Sequence, residues 1–97
     1  MQRDEVKKRL AENLAELRDR YYVSELAVFG SVARGQASPA SDVDLLVDFS
    51  RTPGLLEYVA LKNRLEELLG VSVDLVTRKA LKRQLRETIL DEAIRVC

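Results

Sequence analysis

The sequence predicts an α/β fold of the α+β kind: a small mixed sheet of three to four strands with helices on one side. Three observations lead there. Apolar residues recur at steps of three and four in some segments and as short strand-like runs in others, in the order helix, strand, turn, strand, helix, strand, helix. The 97 residues leave room for one core, so residues 1–97 read as a single domain. Hydrophobic residues at 46% beside charged residues at 33% suit a chain that folds alone and exclude a long disordered one.

Each element has its own signal. In residues 4–21, Val6, Leu10, Leu14, Leu17 and Tyr21 form one apolar stripe, which predicts a single amphipathic helix. Residues 25–29 are a short apolar run closed by Gly30 and read as a buried strand. Small residues dominate 30–41, which predicts a turn, a short helical turn at 31–34 and then a loop. Residues 42–49 predict a second strand, punctuated by residues 51–54. Residues 55–69 return to helical spacing, with Tyr58, Leu61, Leu65 and Leu68 on one face, and Gly70 fits the left-handed stop after a helix. Residues 71–77 predict a third strand. Leu81, Leu85, Ile89 and Ala93, at steps of four, predict a last helix over 79–95.

Composition removes several classes of function. Sixteen Lys and Arg offset sixteen Asp and Glu, so bulk charge does not make this a nucleic-acid coat, and direct nucleic-acid binding is not expected. No apolar run approaches about 18 residues, so no membrane span is expected. Residues 1–20 are charged and lack the apolar centre of a secretory signal. A lone Cys97 excludes an internal disulfide and a Cys-based zinc cage. The absence of His removes His-ligated metals and His acid–base catalysis. The expected compartment is the cytoplasm, and any chemistry falls to carboxylates.

Gly30 stands where a strand ends and a turn begins, so the backbone there can approach a ligand closely. Free N–H groups of such a turn favour an anion such as phosphate, and Ser31 adds a hydroxyl donor. Taken alone, Gly-Ser after a strand is usually just a turn. Asp42 and Asp44, two apart on a strand, project from the same face. By itself that pair reads equally as the polar side of a half-exposed strand, with Val43, Leu45 and Val47 facing the core. Asp74 lies between Val73 and Leu75 on the third strand. If the two strands are neighbours, three carboxylates crowd one patch, and their mutual repulsion asks for a neutralising divalent cation. Oxygen-only ligation selects Mg²⁺ or Mn²⁺ over zinc.

Gly30-Ser31, ten intervening residues, then Asp42-Val43-Asp44 resembles the signature of the nucleotidyltransferase superfamily with a DNA polymerase β-like palm. The fuller string Gly30-Ser31-Val32-Ala33-Arg34-Gly35, followed by Ser41-Asp42-Val43-Asp44-Leu45, resembles its minimal nucleotidyltransferase (MNT) branch. The resemblance covers essentially the whole chain. It implies that Asp42 and Asp44 hold two Mg²⁺ ions (Mn²⁺ as a substitute), with ATP as substrate. It also implies that Asp74 completes the metal site and lowers the pKa of an acceptor hydroxyl. Gly30 and Ser31 would bind the outer phosphates. Arg34 reads equally as added charge beside those phosphates and as a solvated turn residue.

Larger relatives carry a helical domain that grips base or acceptor, and 97 residues leave no room for one. The resemblance therefore implies a partner: a second copy, or a HEPN-domain ribonuclease toxin whose tyrosine receives AMP and which is silenced by it. Two other functions stay open at this point. One is an antitoxin that masks its toxin by contact, and the other is a transferase for a small hydroxylated molecule. Arg78, Lys79, Lys82, Arg83 and Arg86 form a basic strip that reads as a solvated helix face or as a docking strip for an acidic partner. Tyr21 and Tyr58 lie on apolar stripes and are expected in the core.

Overall fold

The structure, a computed structural model, describes residues 2–35, 42–81 and 83–96. In chain order it holds α1 (Arg3–Glu12), α2 (Leu14–Tyr21), β1 (Val23–Phe29), α3 (Gly30–Ala33) and β2 (Val43–Phe49). Then follow α4 (Leu55–Leu69), β3 (Val73–Thr77), a 3₁₀ turn (Arg78–Ala80), α5 (Arg83–Glu92) and β4 (Ile94–Arg95). The strands form one mixed sheet in the order β3-β2-β1-β4. The β2–β3 pair is parallel, and both neighbours of β1 run antiparallel to it.

Alternation along the strands divides the sheet into two faces. Val28, Leu45, Val47 and Leu75 turn to one face and join a single apolar core with Val6 and Leu10 of α1, Leu17 of α2, and Leu61, Leu65 and Leu69 of α4. Three helices therefore cover that side, as expected. Each fully buried Leu or Val contributes about 1.5–3 kcal/mol of transfer free energy. Ala27, Phe29, Asp44, Leu46 and Asp74 fall on the opposite face.

Two expectations need correction. The first predicted helix, 4–21, is two helices, because Asn13 interrupts it at φ −117°, ψ 13°. The Asn13 side chain donates to the Arg9 carbonyl at 2.8 Å, taking the acceptor its own N–H would use, and that N–H bonds to the Leu10 carbonyl instead. An apolar stripe does not register this local competition. The last predicted helix, 79–95, is also too long at both ends. Thr77 Oγ1 accepts from the Ala80 N–H at 3.2 Å and closes a 3₁₀ turn, after which Leu81 is extended. Beyond α5, Ile94 and Arg95 pair with Val28 and Ala27, and the Val96 N–H bonds to the Leu26 carbonyl at 2.7 Å. The alternation Ile94-Arg95-Val96 was the signal for that strand, since Ile94 and Val96 both pack against the core.

Candidate active site

The site gathers at one end of the sheet, on the face opposite α1, α2 and α4. Asp74 of β3 is the direct register partner of Asp44 of β2, and Phe29 of β1 is the partner of Asp44 on its other side. The parallel β2–β3 pairing that places these two carboxyls side by side is a tertiary fact, conditional in the sequence. The Asp44 carboxyl is pushed above the usual carboxylate range, first by burial, then by the charge and hydrogen bond of Asp74 and the charge of Asp42. Arg34 works against that rise.

Gly30 closes the site from β1. Its φ of +73° is left-handed, and a Cβ built there would overlap Asp44 Oδ2 and stand 3.0 Å from Cγ. Here glycine serves two needs at once, the turn and the approach of the Asp44 carboxyl to the main chain. The chain then enters α3, whose N-cap residue, Phe29, has no side chain that can cap it. The N–H groups of Gly30, Ser31 and Val32 begin that turn, beside the carboxyl pair. Ser31 is half-buried there. Arg34 is exposed and bonds to Glu92 of α5 at 3.0 Å, so it ties α3 to α5 while contributing charge at Asp44.

Asp42, expected as the first residue of the second strand, instead lies exposed immediately before β2 and reaches Asp44 through its charge. Among the described residues no three acidic side chains converge on one point. The structure thus brings Asp44 and Asp74 together and leaves Asp42 at their margin. The donor set still fits a hard divalent cation: two register-paired carboxyls, a third two residues along the chain from Asp44, and a sequence with no His and a single Cys at its last position.

Tyr21 and Tyr58 pack against the core as expected, and the Tyr58 hydroxyl also donates to the Leu75 carbonyl. Of the basic strip, Lys82 and the side chains of Arg83 and Arg86 lie outside the described residues. Arg78 leaves the strip altogether. It bonds to Glu25 at 2.9 Å, and its Nε is buried without a hydrogen-bond partner. With Glu25, Ala27, Leu46, Leu90 and Arg95 it lines a cleft of about 320 Å³ on the carboxyl face. Sequence spacing gave no sign of that cleft, since its residues come from four separated segments.

The four-stranded mixed sheet with its helices is the fold of a polymerase β-like nucleotidyltransferase palm, and residues 7–96 match the nucleotidyltransferase domain family, to which this chain belongs. It is 45% identical over 93 residues to the protein adenylyltransferase MntA of Thermococcus cleftensis, spanning 96% of this chain and 94% of that protein. A solved chain assigned to the minimal nucleotidyltransferases superposes with a TM-score of 0.81 at 45% identity, over 97% of this chain and 95% of the other. A more distant likeness, in fold alone, is to a chain of the complex between an MNT antitoxin and a tri-AMPylated Shewanella oneidensis HEPN toxin. There the TM-score is 0.69 at 17% identity, over 98% of this chain and 71% of that one. No helix among the described residues is long and apolar enough to cross a membrane.

Proposed function

We propose that this protein moves AMP from ATP to a hydroxyl, and that the acceptor is a tyrosine of a HEPN ribonuclease toxin, making the protein an antitoxin that acts by AMPylation. The observation that carries the reading is the 45% identity, across nearly the full length of both chains, to a protein adenylyltransferase. The toxin solved in AMPylated form with a fold relative supplies the acceptor class.

In this reading the Gly30–Val32 N–H groups and the Ser31 hydroxyl bind the β- and γ-phosphates, and Arg34 adds charge beside them. Asp42, Asp44 and Asp74 would hold Mg²⁺ or Mn²⁺, which when bound neutralises the carboxylates and draws charge from the phosphate oxygens. Asp74 orients the acceptor hydroxyl and takes its proton. The acceptor oxygen then forms a bond to the α-phosphorus, the bond from that phosphorus to the bridging oxygen breaks, and pyrophosphate leaves. The raised pKa of Asp44 supports this assignment, because a carboxyl crowded by Asp74 and Asp42 is one that a cation would relieve.

The test mixes the protein with a HEPN toxin, Mg²⁺ and labelled ATP, then removes it before the toxin is assayed. An enzyme used in catalytic amount leaves AMP mass on the toxin, which stays inactive alone. Return of toxin activity on separation, with inhibition only near stoichiometric amounts, would establish masking by contact instead.

A further inference from the structure

Among the described residues β3 is the outer strand of the sheet and pairs with β2 alone. A strand in that position presents unpaired N–H and C=O groups along its free edge and is the element of a sheet most easily shifted. Here two side chains of α4 occupy that edge. The Val73 N–H donates to Glu66 Oε2 at 2.9 Å, and the Tyr58 hydroxyl donates to the Leu75 carbonyl. The residue between these two anchors is Asp74.

We propose that Tyr58 and Glu66 are positioning residues for the transfer reaction, a clamp from α4 that fixes β3 on either side of Asp74 and so sets that carboxyl against Asp44. The inference rests on the reading of Asp74 as the acceptor-side carboxylate. Residues 73 and 75 both turn their backbone groups outward, as alternate residues of a strand do, while Asp74 bonds inward to β2. Two anchors at this spacing resist both sliding along β2 and rotation about the strand axis, whereas one would resist only the first. Asp74 needs that support because its own side chain is exposed. Val73 and Leu75, its neighbours, point to the core and are buried at 3% and 7% exposure, so any roll of β3 that disturbs them swings Asp74 the opposite way. The anchors also start from a rigid base: Leu61, Leu65 and Leu69 of the same helix are fully buried, and Tyr58 itself packs on the core. Misplacement of a reacting group by about 1 Å is worth up to about 10²-fold in rate.

Three variants test this. Tyr58→Phe keeps the ring and removes the donor. Glu66→Ala removes the acceptor, and Glu66→Gln restores it through the amide oxygen. Tyr58→Phe and Glu66→Ala should each lower kcat for AMP transfer about tenfold with KM for ATP within about twofold, and Glu66→Gln should recover most of the loss. Amide hydrogen exchange supplies a readout independent of transfer: Val73 should lose protection in Glu66→Ala and regain it in Glu66→Gln. Wild-type kcat in both deletion variants overturns the clamp. So does loss of stability with kcat per folded molecule unchanged, which would leave the bonds as simple edge capping. A wild-type protein that transfers no AMP to any toxin overturns the functional reading beneath, and the clamp's catalytic role with it. An active wild type with unaffected variants overturns the clamp alone.

Discussion

Asp44 on the sheet and Glu16 on α2 are both carboxyls next to charged neighbours, and they are pushed in opposite directions. Glu16 sits in the seam between α2 and α4, where Arg64 bonds to both its oxygens at 2.6 and 2.9 Å and also reaches Glu67 at 3.1 Å. That hydrogen bonding holds Glu16 below its ordinary range and raises Arg64. Asp44 faces Asp74 and Asp42 and is pushed up by burial and like charge. One site satisfies its charge within the fold. The other keeps an unbalanced charge, and that imbalance is what a ligand can use. The difference separates an ion pair that serves docking of helices from a carboxyl group available for chemistry.

The sharpest way to break this comparison is Asp44→Asn. It should take AMP transfer to background, while the urea midpoint stays level or rises because like-charge repulsion is relieved. Full transfer by that variant would falsify the role given to Asp44. Gly30→Val should damage both properties together, because its Cβ meets Asp44 and φ is +73°. Backbone strain alone predicts about 1–3 kcal/mol of lost stability, read by denaturant melts, with transfer lost alongside.

Leu65→Ala probes the helix side without touching the carboxyls. It should cost about 2–5 kcal/mol of stability and leave transfer per folded molecule near wild type. Ser31→Ala should weaken use of ATP about tenfold, the worth of one charge-assisted hydrogen bond, seen in KM rather than in the melting curve.

The smallest effect belongs to Glu16→Gln, which should leave transfer alone and lower stability slightly. Its sign with pH is fixed. A carboxyl depressed on folding stabilises above its unfolded pKa of about 4.3, and that contribution fades as the pH falls through the folded value. The gap between wild type and Glu16→Gln in urea melts should therefore be fully open at about pH 7 and narrow progressively as the pH is lowered below the unfolded value. A gap that widens in acid would contradict the ion pair.

Much of this architecture is local enough to be legible from the chain alone. The α4 boundaries, Leu55–Leu69, follow from the apolar spacing, and the left-handed Gly70 behind them, at φ +70°, is a stop that a single residue type encodes. The Gly30-Ser31 turn and the Asp42/Asp44 pair are likewise each encoded within two or three neighbouring residues. Local competition for hydrogen bonds escaped the same reading. The Asn13 side chain breaks the first helix and the Thr77 hydroxyl delays the last one, and neither disturbs the apolar stripe.

The sequence by itself determined which residues could be a cation-binding set, because the absence of His and the presence of a single Cys left only carboxylates. Only the tertiary structure decided which of them meet. Parallel pairing of β2 with β3 in a register that sets Asp44 opposite Asp74 depends on the long crossover through α4, whose packing a 3.6-residue period does not specify. It also decided that Arg78 turns to Glu25 and that Tyr58 and Glu66 reach the free edge of β3. Each of these contacts joins residues seven or more positions apart in the chain, and such contacts are chosen by the collapse of the core, which places the backbone before side-chain chemistry can act.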